Sequence, residues 1–140
     1  MPNPFRVKII LPSGLKYDGE TDMAILTGPE GELAIVQNHI SFLSPVSICA
    51  VILFSDRNEK KISHVYATTG GICEMKNDNL TLLLKTAELS DEIDLERARK
   101  AKDRAEKRLT NSQDIDVQRA QIALSRAVNR ITIATTHGNE

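Results

Sequence analysis

The feature that most constrains this chain is a change of hydrophobic period near residue 89. Up to that point apolar residues alternate or cluster in short runs, and glycine, proline, asparagine and serine punctuate them every few positions. From Ser90 onward there is one glycine, Gly138, and no proline, so apolar residues can recur at helical spacing. A chain written this way folds as a β-rich body followed by helices.

Phe5 to Leu11 alternates Phe5, Val7, Ile9 and Leu11 against Arg6 and Lys8, the pattern of a half-buried strand. Pro12-Ser13-Gly14 turns the chain into Leu15 to Tyr17. Met23 to Thr27 is a further strand, closed by the turn Gly28-Pro29-Glu30-Gly31 before Glu32 to Val36. Val46 to Phe54 is apolar and β-branched enough to be buried on both faces, and Asp56 to Glu59 forms a hairpin tip leading into Ile62 to Ala67. Gly70-Gly71 breaks the pattern, Ile72 to Met75 resumes it, and Lys76 to Asn79 turns into Leu80 to Leu84. Eight or more short strands with close turns predict an antiparallel sandwich or barrel.

After Glu88, Leu95, Ala98, Ala101 or Lys102, Ala105 and Leu109 form one narrow apolar stripe. Thr110 to Asp114 interrupts it. Val117, Ala120, Leu124, Ala127, Ile131 and Ala134 then follow the 3-4-3-4-3 spacing of a coiled-coil seam. Two helices of about 17 to 19 residues, packed antiparallel, are expected. The predicted class is α+β, mainly β: an N-terminal antiparallel β-sandwich over 1–89, then a C-terminal antiparallel α-helical hairpin over 90–140. Because the seam is mostly alanine, each contact buries little area, so the hairpin reads as the moving part.

Apolar residues make up 41% and charged ones 26%, which excludes wholesale disorder. With 18 Lys+Arg against 19 Asp+Glu, the net charge of −1 exerts no long-range pull on nucleic acid or anionic lipid. Cys49 and Cys73 are the only cysteines, too few for a disulfide scaffold or a zinc site, and read as core fillers in a reduced compartment. Only three apolar residues, Ile9 to Leu11, follow Lys8, and acidic residues run from Asp18 to Asp22, so no targeting segment is expected. Leu33 to Ser55 carries no charge over 23 residues, but its longest apolar run is the seven residues Ile48 to Phe54. That is far short of the ~20 a membrane span needs. Membrane association is therefore expected only through a partner.

The two parts differ in charge: residues 1–89 hold 8 basic and 10 acidic side chains, residues 90–140 hold 10 and 9. Between Arg97 and Arg108 the net charge is +5. This is either a solvated helix face or a patch for an acidic protein surface or phosphates. An antiparallel hairpin centred near residue 112 or 113 sets residue n opposite roughly 225 − n, a pairing that follows from coiled-coil register. Arg97, Arg126 and Arg130 then converge at one end, with Glu88 and Asp94 close by. The carboxylates could clip the hairpin in place, or a phosphate ligand could balance the three guanidiniums. Catalysis has little to stand on. His39, His64 and His137 are scattered, no phosphate-loop motif occurs, and His39 near Ser41 lacks a flanking acid or oxyanion arrangement. The competing classes are a non-catalytic adaptor and a nucleic-acid-binding module using the basic helix 97–108.

Several motifs occur together and in order. Gly31-Glu32-Leu33-Ala34-Ile35-Val36-Gln37-Asn38-His39 is similar to a G-E-L-G-I-x-P-x-H pattern, and Gly70-Gly71-Ile72-Cys73-Glu74 to G-G-[IF]-x-E. Ile93-Asp94-Leu95-Glu96-Arg97-Ala98 matches I-D-x-x-R-A; Arg119-Ala120, Ala123 to Ala127 and Asn129-Arg130-Ile131 match the second helix that accompanies it. Over nearly its whole length the chain resembles the epsilon-subunit family of bacterial and chloroplast-type F-type ATP synthases.

The resemblance implies a ten-stranded sandwich at the foot of a central stalk, bound to the gamma subunit and touching the c-ring. It implies a helical hairpin that permits turnover when folded down and inhibits ATP hydrolysis when extended toward the alpha and beta subunits. The implied contacts are Gly28, Gly31, Glu32 and His39 with the c-ring and gamma, and Arg99, Lys100, Arg104 and Arg108 with the beta subunits. The family positions for a regulatory, unhydrolysed ATP fall on Glu88, Asp94, Arg97, Arg126 and Arg130. No catalytic residue, metal or obligatory cofactor is implied, and the coupling ion, proton or sodium, stays open. The location implied is peripheral, on the cytoplasmic face of the cell membrane, ahead of a thylakoid. Ala34, Gln37 and Asn38 depart from the usual glycine, proline and glycine, which bears on the details of the gamma contact.

Overall fold

The computed structural model describes residues 3–111 and 117–137. The chain divides into two compact units, Met1–Leu89 and Ser90–Glu140.

The first unit is a β-sandwich of ten strands: β1 (Phe5–Leu11), β2 (Gly14–Thr21), β3 (Met23–Gly28), β4 (Gly31–Ile35), β5 (Phe42–Val46), β6 (Cys49–Asp56), β7 (Lys61–Thr68), β8 (Gly71–Lys76), β9 (Asn79–Leu84) and β10 (Ala87–Leu89). They form two five-stranded sheets, ordered β2-β1-β9-β8-β5 and β10-β7-β6-β3-β4. The alternation read along β1 survives: Phe5, Val7 and Ile9 are buried while Arg6 and Lys8 are exposed. Their inward partners include Leu80 and Leu82 of β9, Cys73 and Met75 of β8, Leu26 of β3 and Val51 and Leu53 of β6, which close one core between the sheets.

The structure corrects the expected strand map at several points. The run Val46 to Phe54 is not one strand, because β5 belongs to the first sheet and β6 to the second. The chain crosses between them at Ser47-Ile48, where the Ser47 amide donates to Thr27 O at 2.9 Å. Ala50 and Ile52 of β6 are only half-buried, so this strand is not enclosed on both faces. β10 and all of β5 before Val46 had no sequence signal. One pairing also departs from the antiparallel pattern: β1 runs parallel to β9, with Val7 opposite Leu80 and Ile9 opposite Leu82. These strands are distant in sequence, so no tight turn dictates their direction.

Two turns follow from backbone chemistry. Asn77 and Asp78 both take left-handed φ, 51° and 57°, forming a two-residue hairpin loop between β8 and β9. At Gly70, φ is +107° and a Cβ would press on Val46 O at 2.9 Å; at Gly71 a Cβ would collide with the Leu83 carbonyl. Only glycine fits either place.

In the second unit, the 3-10 turn η1 (Ser90–Glu92) leads into α1 (Leu95–Asn111), and α2 is Val117–His137. The helices have 17 and 21 residues, the second longer than expected. They pack against each other, and α2 also packs on η1. With only residues 112–116 between them, that requires an antiparallel hairpin. Of the expected connection, Thr110 and Asn111 instead form the end of α1, and Ser112 to Asp114 lie outside the described residues. Asp94 caps α1: its Oδ1 accepts from the Arg97 amide at 3.1 Å and its carbonyl from the Ala98 amide at 3.0 Å. The seam is alanine, as expected: Ala98 and Ala105 on α1, and Ala120 and Ala127 on α2, are all buried, each pair seven residues apart on its helix. Toward the end of α2 the burial shifts, with Ile133 enclosed and Ile131 and Ala134 only half-buried. There α2 meets η1 as well as α1, so the buried stripe is wider than a two-helix seam. Val117, expected on the seam, is exposed.

Asp22 is the one buried carboxylate among the described residues. Its Oδ2 accepts from the Arg57 amide at 2.7 Å and its Oδ1 from the Asn3 amide at 2.9 Å. These hydrogen bonds, Arg57's first, hold its pKa below the usual carboxylate range against the cost of burial. Its contribution is therefore complete above about pH 4 and lost as pH falls through the lower, folded value. Asp22→Ala should cost about 2 kcal/mol at neutral pH by removing two charge-assisted hydrogen bonds and orphaning part-buried amides. Thermal melts should show a drop of roughly 8–16 °C that narrows below about pH 4.

Candidate functional surfaces

Neighbouring strands of the first sheet carry one apolar residue each in mutual register on the outer face. Pro45 of β5 pairs with Ile72 of β8, Ile72 with Leu83 of β9, Leu83 with Ile10 of β1, and Ile10 with Leu15 of β2. The result is an unbroken apolar row across all five strands, with Leu15 62% exposed and Ile72 and Leu83 both above 40%. The next row starts at the exposed Leu43 and is otherwise polar: Glu74, Thr81, Lys8 and Asp18. Arg6 Nε donates to Asp18 Oδ1 at 2.8 Å, which draws the Asp18 pKa down. The residue that completes the row depends on a bulge. Pairing slips between Ile9 and Ile10, so Lys16 is extra, Tyr17 turns inward onto the core and Leu15 turns outward. Without that slip, the expected strand Leu15 to Tyr17 would put both on one face. This row was not among the sequence-based expectations. Its signal was the apolar residues that break alternation: Ile10 after Ile9, Leu83 between Leu82 and Leu84, Ile72 between Gly71 and Cys73.

The sandwich residues named from sequence sit at loops. Gly28 ends β3 and Gly31 begins β4, with Gly31 at a φ of +122° that favours glycine. Glu32 follows on β4, and Gly28 to Leu33 lines an open concavity with Ser44 and Pro45. His39 lies on the crossover from β4 to β5, its amide donating to Val36 O at 3.2 Å. Its Nδ1 is 2.8 Å from the Ile40 carbonyl, an acceptor, so that nitrogen carries the proton. The ring meets Phe42 edge-on at 5.0 Å. Cys49 and Cys73 are buried free thiols whose pKa values burial pushes up, so they stay protonated. Among the described residues no cluster of His, Cys, Asp or Glu could hold a metal. No helix among them is long and apolar enough to cross a membrane.

On the hairpin, the packing of α2 on η1 brings the first turn of α1 and the second half of α2 to one end. Arg97 is exposed there, while Arg126 and Arg130, one turn apart on α2, are half-buried. The Arg126 Nε is buried and meets no acceptor. Asp94 is committed to capping α1. Glu88 lies on β10 of the first unit, opposite Ala67 of β7. Along α1, Lys100, Arg104 and Arg108 are exposed and four residues apart, hence on one stripe. Arg99 is also exposed but projects about 100° from Lys100, off that stripe. Lys100 pairs with Glu96 at 3.5 Å and Lys102 with Glu106 at 3.7 Å, both solvent-exposed and of little energetic weight.

Both units match models of one family. The beta-sandwich domain of the ATP synthase delta/epsilon chain matches residues 4–90, and its long alpha-helix domain residues 91–135. The chain belongs to the ATP synthase delta/epsilon family. A relative from Alkalihalophilus pseudofirmus, named ATP synthase epsilon chain, is 40% identical over 108 residues, 77% of this chain and 78% of that protein. One from Halalkalibacterium halodurans with the same name is 42% identical over 109 residues, covering 76% and 77%. Within the delta/epsilon family this is therefore an epsilon-type chain. Among solved structures, a chain of the Euglena gracilis mitochondrial ATP synthase superposes with a TM-score of 0.81 at 16% identity, over 98% of this chain and 84% of that one. At that identity the likeness is one of fold.

Because the apolar row is exposed, its residues do little for the fold of this epsilon-type chain. Ile72→Thr and Leu83→Thr should each shift stability by less than about 0.5 kcal/mol. The double variant should melt near wild type yet bind less of a hydrophobic fluorescent dye; an unchanged dye signal would mean that the row is not the exposed apolar surface.

Proposed function

We propose that this chain is the non-catalytic epsilon subunit of the central stalk of a bacterial F-type ATP synthase. Its sandwich binds the gamma chain and the c-ring, and its hairpin restrains ATP hydrolysis. The observation that carries this reading is the succession of both family domains across residues 4–135, on a fold with the two matching units. The solved relatives include an F1/c-ring assembly from Euglena gracilis and a central stalk/c-ring assembly from Tetrahymena thermophila. The chain would then lie on the cytoplasmic face of the cell membrane, held there by the complex. The exposed stripe Lys100, Arg104 and Arg108 suits an acidic surface on the beta subunits, and the Gly28–Glu32 loop and His39 suit the c-ring and gamma.

Regulation follows from the hairpin's chemistry. Arg126 and Arg130 share one end with the first turn of α1, and a buried guanidinium nitrogen on Arg126 lacks an acceptor. A nucleotide phosphate supplies acceptors of the right charge. ATP that binds only the compact form stabilises it by RT ln(1 + [ATP]/Kd), about 2.7 kcal/mol at ~100 Kd. Low ATP then releases the hairpin into its inhibitory form.

Two measurements test this. Removing residues 90–140 should leave a sandwich that still assembles with gamma, while ATPase activity of the complex rises severalfold. Unchanged activity would remove the hairpin's inhibitory role. In isothermal titration with MgATP, Arg126→Ala should weaken binding roughly 10- to 100-fold, the value of a charge-assisted hydrogen bond, whereas Lys102→Ala should change it little. Equal losses, or no binding at millimolar ATP, would reduce the arginines to structural clips.

A further inference from the structure

The crossover loop between β4 and β5 carries Ile40, 78% exposed, and leads to Leu43, 69% exposed. Leu43 and Pro45 are alternate residues of β5 and share its outer face, so this pair joins the loop to the apolar row. The loop also lies within the uncharged stretch Leu33 to Ser55. Charge enters from the neighbouring strands, with Glu74 opposite Leu43 and the Asp78 carboxylate at Asn38, so the protruding apolar side chains have a charged rim, as the centre of a protein interface does.

Something must hold such a loop in one shape. The resemblance noted above has proline and glycine at positions 37 and 38, where this chain has Gln37 and Asn38. Asn38 keeps a left-handed φ of 64°, which an asparagine adopts at some cost. Its amide donates to Asp78 Oδ1 at 2.7 Å, across 40 residues of sequence. Asp78 is itself well fixed. It is the second residue of the tight β8–β9 turn, and its carbonyl accepts from the Arg6 amide at 3.0 Å. On the far side of Asn38, the His39 amide closes a turn onto Val36 O, and the His39 ring packs on Phe42.

We propose that Asp78 is a positioning residue for gamma binding: its carboxylate pins the left-handed turn at Asn38 and so presents Ile40 and Leu43 as an apolar knuckle to the gamma chain. This rests on the stalk reading above and adds to it the element that sets the loop's shape. Acting as a hydrogen-bond acceptor, Asp78 is replaceable by asparagine, which also tolerates a φ of 57°. Glycine tolerates the same φ but supplies no acceptor.

The test uses the full chain added to an α3β3γ assembly prepared without it, with Asp78→Gly, Asp78→Asn, Ile40→Ser and Leu43→Ser alongside wild type. Asp78→Gly should melt near wild type, weaken association about 10-fold through the lost preorganisation, and expose the Asn38 amide to rapid hydrogen exchange. Asp78→Asn should restore affinity to within about twofold and restore the protection of Asn38, as the retained acceptor requires. Wild-type affinity in Asp78→Gly, or an Asp78→Asn as weak as Asp78→Gly, overturns the positioning role. Full affinity in both serine variants overturns the knuckle while leaving the stalk reading intact. A wild-type chain that does not associate at all overturns the stalk reading and this proposal with it.

Discussion

The parallel pairing of β1 with β9 joins the start of the sandwich to a strand about seventy residues later. Much of the first unit's geometry depends on that register. It sets Val7 beside Leu80 and Ile9 beside Leu82, all four inward, so the first sheet has an apolar inner face on which the second can close. It also sets Ile10 beside Leu83 on the other face, which completes the outer row. At its end, the Arg6 amide reaches the Asp78 carbonyl. A contact this distant costs loop-closure entropy before it yields any burial, so its register must be well specified. Period-2 alternation provides that, because a slip of one residue would send Val7 and Ile9 to solvent. Gly71 serves the same sheet from the other side, since any side chain there would push β8 away from β9.

The second unit is built on the opposite principle. Its seam is four buried alanines, and burying alanine contributes roughly 2 kcal/mol less per position than burying leucine would. Alanine favours each helix individually and lets the helices approach closely, but it makes a shallow well for their association. The charges on α1 add little, being exposed pairs of long side chains. A body with a deep, aliphatic core thus precedes a hairpin whose helices are intrinsically sound and weakly joined. Local opening in such a chain falls on the hairpin first.

Much of this was legible in the sequence, and the failures have physical causes. Positions with clean alternation, such as Phe5 to Ile9 of β1, and the seven-residue alanine spacing on both helices carried their own burial pattern. What escaped were features decided by pairing between distant strands. The division of Val46 to Phe54 into two strands reflects a crossover between sheets that no local period encodes. The outward turn of Leu15 depends on a bulge opposite Ile9 and Ile10, and β10 exists only because β7 offers it an edge. Of the site residues, the arginines on α2 follow directly from helical spacing, whereas Asp94 serves the helix it begins. Arg99, which the resemblance implies as a contact beside Lys100, lies about 100° round the helix from it. The apolar row lay hidden because each strand contributes one residue, and only the register reveals them as neighbours.

The distribution of chemistry between the two units fits the proposed stalk role on energetic grounds. A subunit that must stay attached through rotation needs an interface whose strength does not depend on salt or on protonation, and apolar burial has that property. The sandwich offers it as a rigid row backed by a core with fully enclosed side chains. A regulatory element needs the reverse: contacts that form quickly, break readily and respond to a charged ligand. Long basic side chains on an exposed helix give rapid, screened, reversible association with an acidic surface. A half-buried arginine with an unmet donor is what the proposed phosphate ligand would meet on the same hairpin. Exchanging the two chemistries would fail on both counts, since a charged foot would loosen with ionic strength and an apolar hairpin, once extended, would not readily return.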